Sequence, residues 1–170
     1  ISMAGEKVLS ADNQQGRSRR DTLQPWYVAG FVDGEGTFHI ALYRDPRMKT
    51  GLKIIPEFHV SQRYTSSKVL YRLVDFFGCG YVKENHRTNP RDTTYVYVVR
   101  DREDLIKKII PFFERYYLQT EKSNDFAVFA KVVRMMVEGK HRTKIGAQQI
   151  MRLAYSINNA GQYRKKKISF

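Results

Sequence analysis

A single cysteine, Cys79, is all the thiol chemistry the chain has, so no internal disulfide can form; it lies in a Gly-Cys-Gly turn without the Cys/His grouping that a zinc site needs. Long apolar runs are missing too. Nothing approaches the roughly 18 residues of a membrane span, and no secretory hydrophobic segment precedes a cleavage site, which predicts a soluble intracellular protein without specifying its compartment. Acidic residues are scarce: 17 Asp plus Glu stand against 30 Lys plus Arg, for a net charge of +13 and a pI near 9.9. Such a surface binds polyanions, with nucleic acid the leading partner. Residues 1–21, with the polar and basic run Gln14-Gln15-Gly16-Arg17-Ser18-Arg19-Arg20, read as a flexible basic arm, and residues 161–170, with Arg164 and Lys165 to Lys167, as a basic tail. The remainder, 22–160, is long and apolar enough for one packed domain.

The most informative stretch is Val28-Ala29-Gly30-Phe31-Val32-Asp33-Gly34-Glu35-Gly36. Pro25 suits a first helical turn, and Ala29-Gly30 leaves a helix face low enough for a second helix to approach closely. Gly34 and Gly36 end the helix, and a β-prone run from Thr37 to Tyr43 follows at once. Glu35 is thereby left at the negative end of the helix dipole, an unfavourable place unless a cation sits beside it. A carboxylate next to free helix-terminal carbonyls is also a hard, oxygen-rich site for a divalent metal.

Period-2 alternation predicts strands over 37–44 and 52–63, with Phe38, Ile40, Leu42, Ile54, Phe58 and Val60 facing a core. Thr37, His39, Ala41, Tyr43, Lys53, Ile55, Glu57, His59 and Ser61 fall on the opposite face. Residues 66–78 predict an amphipathic helix with a serine cap and a glycine stop. Strands follow at 81–83 and 94–99, then a helix from Asp101 or Asp104 that Pro111 kinks or splits, and helices over about 123–137 and 145–157. The order αββαββα followed by C-terminal helices is not a βαβ alternation. It places the chain in the α+β class with an antiparallel four-stranded sheet.

The nine-residue string resembles the signature of the LAGLIDADG homing endonucleases, with Val28 for the usual leading Leu and Glu35 for the usual Asp. Phe58-His59-Val60-Ser61-Gln62-Arg63 resembles the end of that family's second strand. Leu118 to Phe126 resembles its loop into a later helix, so the likeness covers roughly 22–135. It implies a saddle-shaped sheet lying on double-stranded DNA. It implies also a site-specific endonuclease of the intron-encoded type, with no small-molecule substrate and no membrane partner. Because only one motif is present, the resemblance implies a homodimer with a long, near-palindromic target and cuts that leave short 3′ overhangs.

The same resemblance assigns roles. Glu35, with the Gly34 carbonyl, is expected to hold Mg²⁺; Mn²⁺ would substitute, and Ca²⁺ would bind without supporting cleavage. Gln62 would order water around the metal, and Lys122 would bring an ammonium to the phosphate, in a register uncertain by one or two residues because Glu121-Lys122 replaces a Lys-Lys pair. A further basic position falls near Ser66, where Arg63 or Lys68 can substitute. On the open sheet face, strand parity offers Thr37, His39, Tyr43, Lys53, His59, Ser61, Tyr81, Lys83, Tyr95 and Tyr97 as DNA contacts. The competing readings on this fold are an RNA-splicing maturase and a DNA-binding protein that no longer cuts. Retention of Glu35 and Gln62 argues for cleavage.

Overall fold

The structure, a computed structural model, describes residues 22–85, 91 and 93–157. The expected arm and tail lie outside the described residues. Helix α1 (Pro25–Glu35) leads directly into β1 (Gly36–Arg44), which turns back as β2 (Leu52–Arg63); a 3₁₀ turn (Tyr64–Ser66) precedes α2 (Lys68–Phe77), and β3 (Tyr81–Glu84) and β4 (Thr94–Val99) complete the strands. The sheet order is β1-β2-β4-β3, antiparallel throughout. After β4 come α3 (Arg102–Asp104), a π-helical turn (Leu105–Ile109), α4 (Ile110–Arg115), α5 (Lys122–Val137) and α6 (Lys144–Ser156). Among the described residues no helix is long and apolar enough to cross a membrane.

The α+β expectation holds, and the local deviations have local causes. Helix α1 continues through Gly34 to Glu35 and stops at Gly36, whose N–H donates to the Val32 carbonyl. A Cβ on Gly36 would fall 2.5 Å from Val32 Cγ1 and 2.7 Å from the Val32 carbonyl oxygen, so only glycine lets the chain turn from helix into strand there. The serine cap on α2 is not made: Ser67 is already in helical geometry, and its hydroxyl donates back to the Tyr64 carbonyl at 2.7 Å. Gly78 stops that helix in the left-handed region, as its sequence position predicts. Pro111 does disturb its helix. It sits in the first turn of α4, directly after the π turn, and has no N–H with which to continue the preceding ladder.

All the helices that touch the sheet cover one face of it. Phe38, fully buried, gathers Phe58, Phe113, Phe126 and Phe129 around it at centroid distances of 5.2 to 5.5 Å. The core face of β1 and β2 carries the apolar set read from alternation, in the register Phe38↔Phe58, Leu42↔Ile54 and Gly36↔Val60. Burial on this scale, at roughly 25 cal/mol per Å² of apolar surface, is what orients the sheet and leaves its other face open.

Candidate active site and nucleic-acid interface

Two segments far apart in sequence meet at the C-terminal end of α1. The Asp33 carboxylate accepts the Gln119 N–H at 2.8 Å, the Thr120 N–H at 3.2 Å and the Thr120 hydroxyl at 2.6 Å. Burial works against this charge, but the Thr120 hydroxyl, the two backbone donors and Lys122 outweigh it and hold the carboxyl below the usual aspartate value. With the loop docked in this way, the Lys122 ammonium reaches the Val32 carbonyl at 3.1 Å and the Gly34 carbonyl at 3.3 Å. These are helix-terminal acceptors, and Lys122 places a cation at the helix end that carries Glu35. Burial pulls the Lys122 value down, against the opposing fields of Asp33, Glu35 and Asp125.

Glu35 itself is exposed, the last residue of α1. Gln62 lies on the helix-covered side of β2, two residues beyond Val60, the partner of Gly36, and so on the side of the sheet to which α1 belongs. No His/Cys/Asp/Glu group of three or more that could hold a metal occurs among the described residues. One chain therefore offers a carboxylate and a carbonyl, hard oxygen donors that fit Mg²⁺ but only partly fill its shell. The Gly34 carbonyl already accepts from Lys122, and its second lone pair remains for a metal.

On the open face, register aligns Thr37 with His59, His39 with Glu57 and Tyr43 with Lys53, and continues the same face through Ser61 and Arg63 to Tyr81 and Lys83. Thr37, Tyr43, Lys53, Arg63 and Tyr81 are exposed; His39, His59, Ser61 and Lys83 are half-buried, and Lys68 is exposed at the start of α2. Tyr95 and Tyr97 need correction. They pair with Gln62 and Val60 and therefore face the helices. Tyr97 is fully buried, its hydroxyl donating to the Cys79 carbonyl at 2.9 Å, and burial drives its ionisation far upward. Tyr95 donates to Glu84 at 3.1 Å on that same face. Val96 and Val98, themselves buried, take the face opposite the helices in their place, so side-chain polarity misled the parity there.

Sequence reasoning missed Asp33, Gln119 and Thr120 as the clamp that sets Lys122. The available signal was a threonine two residues ahead of the lysine and an aspartate two residues ahead of Glu35. It also passed over Arg47 and Arg100, each beside a buried carboxylate.

The sequence profile of LAGLIDADG endonucleases matches residues 28–133, from the motif helix through α5. The chain belongs to the LAGLIDADG endonuclease family. The solved homing endonuclease I-TnaI superposes with a TM-score of 0.75 and 42% identity over 81% of this chain and 89% of its own. I-SmaMI, solved bound to an uncleaved DNA target in the presence of calcium, gives 0.76 and 35% over 81% of this chain and 46% of its own. A probable intron-encoded endonuclease 2 of Neurospora crassa is 32% identical over 80% of this chain, which spans 29% of that relative's length.

Proposed function

We propose that this LAGLIDADG chain is a divalent-metal-dependent homing endonuclease that cuts both strands of a long DNA site as a homodimer. The observation that carries this reading is the meeting of Lys122 with the end of α1 that bears Glu35. Family membership, the net charge of +13 and the DNA-bound state of I-SmaMI support DNA as the substrate.

Gly30 and Gly34 lie exposed on α1, and a Cβ at either would meet nothing within 4 Å in one chain. A face this low suits close packing of α1 against α1 of a second copy. That contact brings two Glu35 carboxylates and two Gly34 carbonyls to one axis and fills out the oxygen shell that one chain leaves incomplete. A two-fold dimer implies a near-palindromic target, and the family resemblance implies staggered cuts that leave short 3′ overhangs.

In-line phosphodiester hydrolysis needs an activated water, neutralisation of the phosphate and help for the departing 3′ oxygen; Mg²⁺ held by Glu35 and Gly34 supplies Lewis-acid chemistry of this kind when bound. Lys122 adds a fixed positive charge next to the scissile phosphate, pre-set by its carbonyl contacts. The Gln62 amide can donate and accept at once, which suits it to holding a water in line. Thr37, Tyr43, Lys53, Ser61, Arg63, Tyr81 and Lys83, with His39 and His59, form the DNA face of this proposal, and Lys68 adds a basic group at the start of α2.

The test is to incubate the protein with a randomised duplex library in Mg²⁺ or Ca²⁺ and sequence the cut ends and the retained duplexes. The expected outcome is cleavage in Mg²⁺ at one near-palindromic site and retention without cleavage in Ca²⁺. Glu35→Gln should retain the duplex and lose cleavage; cutting at a near wild-type rate would remove Glu35 from the mechanism.

A further inference from the structure

Two buried carboxylates lie on the side of the molecule that the sheet leaves open, and each holds an arginine. At the β1–β2 turn, Asp45 is 6% exposed while the Arg47 side chain is 81% exposed. Asp45 Oδ1 accepts from Arg47 N at 3.1 Å and Nε at 2.9 Å, and Oδ2 accepts from the terminal Arg47 nitrogen at 2.8 Å. Further in, Glu57 is 7% exposed. Its Oε1 pairs with Nε of Arg100, the residue that follows β4, and its Oε2 lies 3.0 Å from His59 Nε2. Both pairs border one cleft of about 580 Å³, whose walls also include Tyr43 and Lys53.

The chemistry of these pairs decides their use. Each carboxylate is buried against a protein cation or imidazole, which leaves little of it open to a base. Arg47 is gripped at Nε and one terminal nitrogen and Arg100 at Nε, which leaves the two terminal nitrogens of each guanidinium with parallel N–H donors on the end away from the Nε contact. A paired guanidinium is a weak neutraliser of phosphate, because its charge is already balanced. As a rigid two-donor fork it matches the O6 and N7 acceptors of guanine in the major groove, and holding it beforehand lowers the ordering cost of contact.

We propose that Arg47 and Arg100 are specificity-determining residues that each read a guanine of the target half-site, with Asp45 and Glu57 as the positioning residues that hold them. This deepens the endonuclease reading and rests on it. At ~3.3 Å per residue, His39, the partner of Glu57, lies about 10 Å along β1 from Gly36, and Arg44 about 26 Å. With base pairs spaced ~3.4 Å apart, the two guanines fall on the order of three to eight pairs from the cut, Arg100 reading the inner and Arg47 the outer.

The experiment is selection of a randomised duplex library by the full chain in Ca²⁺, with sequencing and a salt titration, for wild type, Arg47→Lys, Arg100→Lys, Asp45→Asn and Glu57→Gln. Lysine keeps the charge but not the fork. Arg47→Lys should lose guanine preference at one outer base pair by tenfold or more, Arg100→Lys at one inner pair, and each carboxamide variant should repeat the loss of its partner, with the salt slope kept. Carboxamide variants can also be lost to misfolding, and then the exposed-arginine variants decide alone. Weakening across all sequences with a shallower salt slope would make the arginines phosphate contacts and overturn the proposal, as would unchanged preferences. A wild type that retains no duplex would fail the endonuclease reading itself, and this inference with it.

Discussion

Lys122 Nζ hydrogen-bonds to the Val32 carbonyl at 3.1 Å across a sequence separation of 90 residues. The contact places an ammonium against the C-terminal carbonyls of the motif helix, whose last residue is Glu35. Substituting Lys122 by Gln keeps a donor and removes the charge. Cleavage is expected to slow by about 10²- to 10³-fold. Single-turnover cleavage in Mg²⁺ beside duplex retention in Ca²⁺ checks this; equal losses in both would make Lys122 a binding residue.

Asp33 is predicted to act on cleavage through Lys122. Asp33→Asn removes the charge that gathers the Gln119 N–H and the Thr120 N–H and hydroxyl, and should cost about 1 kcal/mol or more of stability. Thr120→Val removes only the hydroxyl donor and should cost less. Both should lower the single-turnover rate more than they lower duplex retention, as compared by denaturant midpoint and cleavage assay on the same preparations. Loss of stability with an unchanged rate would reduce the clamp to a structural role.

Gly30→Ala separates folding from assembly. Replacing a helical glycine that has open space around it should stabilise the isolated chain by about 0.5–1 kcal/mol. The added methyl group should at the same time weaken self-association, and Gly30→Leu should prevent it. Sedimentation velocity together with thermal melting reads both quantities. A tighter or unchanged assembly would put the dimer contact elsewhere.

Acid should loosen the hairpin in a defined window. The Arg47 guanidinium and backbone N–H hold Asp45 down at about 2. Burial raises Glu57, but His59, Arg100 and His39 outweigh it and leave its carboxyl below the usual value. For both groups the unfolded chain binds the proton more readily. Their stabilisation is therefore full above the ordinary carboxylate range near pH 4 and is lost as pH falls through the folded values, towards pH 2 for Asp45. Urea midpoints measured from pH 6 to pH 2 should fall steeply below pH 4, and Asp45→Asn should flatten that fall.

Some of this protein was legible locally. The end of α1 at Gly36, the alternation of β1 and β2, the glycine stop of α2 and the basic surface all depend on residues within a few positions of one another or on composition. Backbone sterics, side-chain period and charge act at that range. The faces of β4 were not legible, because tyrosine suits either side of a sheet and only pairing with Val60 and Gln62 turns Tyr97 and Tyr95 towards the helices. The lysine register was equally open until the Asp33 clamp drew in residues 119 and 120 and left Lys122 opposite the carbonyls of Val32 and Gly34.

What the sequence by itself determined was the motif, the class of fold and the polyanion-binding charge. Tertiary structure alone decided which cation meets the carbonyls at the end of α1, which tyrosines are covered, and which arginines are held by buried carboxylates. Those outcomes depend on contacts between residues up to ninety positions apart, and such contacts exist only once burial of the Phe38 cluster has fixed the helices against the sheet.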